Sequence, residues 1–346
     1  MPRFHDLKKS LCACGIALAA ATCLPAHAAD PAYHIVDTQR LDGNVRWDYL
    51  AFDAERHRLY ITRGDHVDVF DTTEKKVVGS IPDTHGVHGV AFAPELDQGY
   101  TSNGLDNTVT IFALSSLKVL NTVATGERPD AIVYDPASKR VFTANAKSEN
   151  LSAIDAVTGK LLRSLAVGGK PEFTAVDGKG RLFVNIENKN QLVAVDTRSL
   201  TIAARYDLAA ACDEPAGLAI DASTERLFVT CHNQKMAVVD GNTGAILATP
   251  AIGSGSDAAV FDSGTGLAFS SNGDGTLNVI ARNGPDQYLA RQSVQTMRGP
   301  RTMALDPVSH RLYLVSAEIV PPPETAKPGT RPTMKEGSFT LLTVAP

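Results

Sequence analysis

Residues Arg128 to Gly169 read RPDAIVYDPASKRVFTANAKSENLSAIDAVTGKLLRSLAVGG. An alternating run, Ala131 to Asp135, meets a turn at Asp135-Pro136-Ala137-Ser138-Lys139. A second run, Arg140 to Ala144, leads into a polar loop at Asn145. A third ends at Ala153-Ile154-Asp155, and after the Thr158-Gly159 turn comes a fourth, Leu161 to Val167. Period-two alternation bounded by Asp, Pro, Gly and Ser is the pattern of short strands joined by tight turns. The stretch therefore encodes four antiparallel strands.

Working outward, the same unit recurs along the chain. Its first turn falls at Asp53, Ala93, Asp135, Asp177, Asp221, Asp262 and Asp306, giving spacings of 40, 42, 42, 44, 41 and 44 residues. One four-stranded unit cannot bury both its faces, so units of this period must stack around an axis as propeller blades. The expected fold class is all-β: a seven-bladed β-propeller of four-stranded blades. Six of the seven turn positions are Asp, whose carboxylate can bond the backbone two residues on; these acids are read as framework. The seventh unit ends with its third strand, Ser338 to Val344, at the C-terminus. An unpaired strand of fourth-strand character, Tyr33 to Leu41, stands at the front of the chain. The N-terminal strand is expected to join the last blade and close the ring, removing two sheet edges.

The beginning of the chain reads differently. Arg3, Lys8 and Lys9 precede an apolar stretch, Leu11 to Leu24, and the small-residue site Ala26-His27-Ala28. This is the layout of a secretory signal peptide, 1–28, with an apolar run too short to span a bilayer. The mature chain, 29–346, is then a single propeller domain, exported to the periplasm or beyond, with no membrane span. The whole chain carries 33 basic and 38 acidic residues. Without the leader's three bases and one acid these become 30 and 37, a charge of −7. A mildly acidic surface with one Trp, Trp47, argues against nucleic acid as partner. A small molecule or a protein at the channel face is expected instead, on a monomer. Of five cysteines only Cys212 and Cys231 lie outside the leader, and neither sits in a CxxC pattern. In an exported chain this even pair is expected to form a disulfide. Residues 319–336, with PPPETAKPGTRP at Pro321 to Pro332, form an irregular Pro-rich loop within blade seven, either a lid or an exposed decoration.

The units resemble the YVTN-type β-propeller repeat, and the chain is similar to exported YncE-like proteins. The resemblance is carried by Arg58-Leu59-Tyr60-Ile61-Thr62, Arg140-Val141-Phe142-Thr143-Ala144-Asn145 and Arg226-Leu227-Phe228-Val229-Thr230, with third-strand endings such as Val239-Asp240 before Thr243-Gly244. Gly180 and Gly266 depart from it at single turns. The resemblance implies the fold and leaves the activity open, because the shared residues are blade framework.

Links between blades and loops between second and third strands share one face of such a fold, around the channel mouth. The candidate ligand-binding residues there are Arg46, Trp47, Asp48, His85, His88, Arg128, Asp130, Lys170, Glu172, Glu214, His232, Asp257 and Arg301. His66, His85, His88 and His232 are the candidates for holding zinc or copper, although a metal cofactor is not the favoured expectation. Asn103, Asn145, Asn185 and Asn272 are read as satisfying backbone groups where strands turn into loops. The primary expectation is a binding or scaffold protein. The alternative is a lactonase-like hydrolase or isomerase using the same face, with His88, Arg128, Glu172 and His232 as weak catalytic candidates. No G-x-S-x-G nucleophile motif and no phosphate-binding loop is present.

Overall fold

The computed structural model describes residues 1–2, 32–43, 46–299, 301–323 and 333–346. Apart from Met1 and Pro2, the expected signal peptide and its cleavage site lie outside these residues. From Ala32 to Pro346 the chain is one compact unit of seven four-stranded antiparallel sheets. The founding unit becomes blade three, with strands Pro129–Asp135, Arg140–Asn145, Asn150–Asp155 and Lys160–Ala166 in sequential order. Blade seven takes Met303–Asp306, Arg311–Ser316 and Thr340–Ala345 from one end of the chain and His34–Arg40 from the other. His34 pairs with Ala345 and Arg40 with Thr340, so the N-terminal strand closes the ring as expected.

The core lies between blades. Among the described residues seven apolar clusters form, each spanning one pair of neighbours. Tyr60, Val69 and Phe112 join blades one and two, and Phe142, Leu151 and Val193 join three and four. Leu59, Ile61, Val315 and Phe339 seal blade one to blade seven. Burying a large side chain at such a junction contributes about 2 kcal/mol. Every blade depends on two neighbours for its core, which is why an open ring is unfavourable.

The turn acids are framework. Asp177 Oδ1 accepts the N–H groups of Lys179, Gly180 and Arg181 at 2.8–3.0 Å, and Asp53, Asp135, Asp221, Asp262 and Asp306 accept from the same region of their own turns. Blade two has Ala93 there and substitutes a 3-10 turn at Pro94–Leu96. Cys212 and Cys231 form the expected disulfide, with Cα atoms 5.2 Å apart. Closing that 19-residue separation contributes about 3 kcal/mol in the chain-entropy account. The Pro-rich segment is not irregular at its base: Ile319–Val320 pairs with Thr333–Met334 as a two-stranded ribbon, and Lys335 Nζ meets Glu318 at 2.7 Å. Pro321, Pro322 and Pro323 cannot extend this ladder; residues 324–332 lie outside those described.

Candidate functional site: the channel mouth

The residue five positions before each turn occupies an equivalent place in every blade. In chain order these seven are Asp48, His88, Asp130, Glu172, Ala216, Asp257 and Arg301. Local backbone sets them apart from an ordinary strand. In blades two to six the pairing of first and second strands shifts register at this point, as between Pro129 and Ile132 or Pro171 and Thr174. A bulge of this kind re-aims a side chain and frees backbone groups. Those groups are recaptured by short polar side chains, three of them from second strands. Thr62 Oγ1 accepts Asp48 N–H at 2.9 Å and donates to Tyr49 O at 3.0 Å. Ser102 Oγ accepts Gly89 N–H at 3.0 Å and donates to Asp130 O of the next blade. Asn185 donates to Ala216 O at 2.6 Å, again in the next blade, and Thr302 Oγ1 donates to Asp48 O at 2.7 Å across the ring closure.

The side chains so aimed converge. His88 Nδ1 lies 2.6 Å from Asp48 Oδ2 and 3.5 Å from Asp130 Oδ1. Its opposite edge rests on Gly104, where a Cβ would come within 2.8 Å of Nε2, so only glycine leaves the imidazole this position. Lys170 Nζ sits 3.1 Å from Glu172 Oε2 and also contacts Glu187 Oε2. Arg301 pairs with Asp257 at 3.1 Å. Beneath this polar bowl Tyr49 of blade one reaches Phe173 of blade four, rings edge to face at 5.0 Å. These two aromatics form its floor. Below them the bore holds a cavity of about 230 Å³ lined by apolar residues including Phe52, Val260, Met303 and Leu305, and none of the seven mouth residues lines it.

Charge in the bowl is strained. Burial, reinforced by the neighbouring carboxylates, pushes Glu172 and Asp130 well above the usual carboxylate range despite Lys170 and His88 beside them. Burial raises Asp257 too, against the pull of Arg301. For His88 burial disfavours the charged ring, yet the Asp48 hydrogen bond and the Asp130 charge overcome it and lift the imidazole to about 9. It is therefore an imidazolium at neutral pH. The only set of three metal-type donors found together among the described residues is here: Asp48, His88 and Asp130, within 4.8 Å of one another.

Of the residues expected at the mouth, Asp48, His88, Asp130, Lys170, Glu172, Asp257 and Arg301 come together. The four-histidine grouping does not form, because each ring is held by a carboxylate of its own region. His66 is bonded to Asp65 at 2.7 Å, His85 to Asp106 at 2.9 Å and His232 to Glu214 at 2.7 Å. Trp47 packs on Phe339, with ring centroids 5.4 Å apart, away from the bowl. Arg46 presents its backbone carbonyl near Gly64. Arg128 sits at φ +54° with its N–H on Asn107 Oδ1, and its charge acts on His88 from a distance. Asn103 and Asn145 are bonded chiefly to side-chain oxygens, such as Thr110 Oγ1 and Ser152 Oγ, so their role is framework without being mainly backbone capping. Glu187, from a loop expected on this face, completes the bowl through Lys170, together with Tyr49 and Phe173, which were not singled out. An aromatic residue at a position that is Gly, Ala or Thr in the other five units was the available signal for the last two.

Fold and mouth together define a closed seven-bladed β-propeller with a polar funnel over an aromatic plug. The YNCE-like beta-propeller family matches residues 90–266, just over half the chain, and the protein belongs to that family. Its fold is similar to that of a chain of Kuenenia stuttgartiensis hydrazine synthase, with a TM-score of 0.68 and 13% identity over 80% of this chain and 94% of that one. At this identity the likeness concerns the fold alone. The chain matches none of the curated proteins.

Proposed function

We propose that the protein is an exported binding protein that holds a small ligand at the channel mouth. The observation that carries this reading is the mouth itself. At seven equivalent positions the repeat stops repeating, and six polar side chains of differing charge converge on one bowl. A framework role would favour the same residue in each blade, as the turn acids show. The disulfide supports an oxidising compartment, and no helix among the described residues is long and apolar enough to cross a membrane.

A lactone-opening activity fits the site less well. A general base must be unprotonated and within reach of substrate. His88 instead carries a proton at neutral pH, with Nδ1 committed to two carboxylates and its other edge against Gly104. Of the other candidates, Glu172 lies in the bowl with its carboxylate on Lys170, while the His232 ring is paired with Glu214 and Arg128 reaches His88 only at a distance.

The test is a thermal-shift screen of the purified chain against metals, amines, sugar lactones and peptides, since a ligand of the native state raises the melting midpoint by mass action. A hit whose shift disappears in Glu172→Gln or Asp48→Asn supports the mouth as its site. A hit that shifts these variants as much as the wild type places binding elsewhere and overturns the proposal.

A further inference from the structure

We infer that Asp48, His88 and Asp130 form a site for a first-row divalent metal ion, with Glu172 facing it. This rests on the mouth being the binding site and names its ligand. The three donors come from three consecutive blades at the same repeat position, so the propeller itself sets their separation. An ion bound at about 2.0–2.2 Å from nitrogen and oxygen donors needs those donors roughly 3.0–3.5 Å apart. The Nδ1–Asp130 separation is already 3.5 Å. The Nδ1–Asp48 pair, at 2.6 Å, must open by less than about 1 Å, replacing its shared proton by the ion and releasing that proton to solvent.

Two independent observations point to a missing cation. First, the bowl gathers five carboxylates, Asp48, Asp130, Glu172, Glu187 and Asp257, against three cations, His88, Lys170 and Arg301. Acidic groups there outnumber the basic groups that could pair with them. Second, two carboxylates are poorly supplied with donors. The nearest cation to Asp130 is His88 at 3.5 Å. Glu172 Oε2 is shut off from solvent, and its one close donor is the Lys170 ammonium at 3.1 Å. Buried carboxylates normally collect several donors, and the turn acids of this chain do. One imidazole with two or three carboxylates suits Mn²⁺, Zn²⁺ or Co²⁺, whereas Ca²⁺ and Mg²⁺ favour oxygen alone.

The experiment uses untagged full-length protein stripped with EDTA and then freed of it. Co²⁺ is titrated by visible absorption, and Zn²⁺ and Mn²⁺ by calorimetry in two buffers of different ionisation enthalpy. One ion per chain with proton release is expected. Asp130→Asn and His88→Gln should each weaken binding by about 100-fold or more, while His85→Ala, whose ring is paired with Asp106, should leave it unchanged. Melting curves confirm that each variant is folded. Absence of saturable binding below about 1 mM overturns the assignment, as does binding indifferent to Asp48→Asn and Asp130→Asn. If no metal binds but an organic cation stabilises the wild type and not Glu172→Gln, the mouth stands as the binding site and the metal assignment alone falls. If neither binds, both fall.

Discussion

Two sets of acids stand five residues apart in blades one, three, four and six, and they are treated in opposite ways. At the turns, Asp177 is nearly inaccessible, accepts three backbone N–H groups and the Arg181 guanidinium, and is held below its ordinary pKa although burial works against this. At the mouth, Asp130 and Glu172 are half-buried with few donors and are pushed upward. Residue type is the same; supply of donors differs. A carboxylate saturated by its own backbone is finished chemistry, and one left short of partners retains affinity for something from outside.

The contrast can be broken at its root by removing the strand His34–Arg40. Both sets of acids depend on a closed ring, so this deletion should abolish soluble expression; a variant of wild-type stability in urea would sink the closure argument. Next in size is Asp177→Ala, which strands three N–H donors and an arginine and should cost about 3 kcal/mol in urea unfolding.

A pH series in EDTA separates the sets without mutation. For Glu172 and Asp130, raised in the fold, stability is fully present below the ordinary pKa of an acid. It drains as pH rises and the unfolded chain ionises first. His88 contributes fully below 6.5 and loses its contribution as pH climbs through about 9. All three slope the same way, so the melting midpoint should fall from pH 5 to pH 9, by on the order of 2 kcal/mol in stability. A flat or rising profile would contradict the strained mouth. Glu172→Gln removes the titrating group while keeping its shape; it should flatten that slope and leave the variant about 1 kcal/mol better placed than the wild type at pH 9, where the same exchange of acid for amide at Asp177 destabilises. The smallest effect belongs to Gly266→Lys. Gly266 stands at φ +71° with nothing within 4 Å of a built Cβ, and Lys139 holds the same turn position at φ +53°. A loss under about 1 kcal/mol is expected; a larger one would mean the turns are not interchangeable.

The turn acids were legible in the sequence because repetition exposes them: six Asp at one position, each with a local role readable from its neighbours. The mouth was legible as a region but not as a constellation. His85, His232 and Glu214 looked as good as His88 and Glu172, since all lie near the same loops. What separates them is depth along the first strand, fixed by bulges that no alternation pattern announces. Tyr49 and Phe173 escaped for a related reason. Aromatics in strands usually mean core, and only the contact between blades one and four gives these two another use.

Blade seven has a consequence for the order of events in folding. Its outermost strand is made before every other strand of the propeller and that strand's partner after them, with His34 and Ala345 paired across 311 positions. Joining ends that far apart costs about 2 kcal/mol more loop entropy than a contact within one 40-residue blade. Six blades can zip locally while the seventh waits for Thr340–Ala345 to meet His34–Arg40. Until then the chain is a row of unsealed sheets with the mouth unassembled. Any ligand held there can be acquired only after the ring has closed.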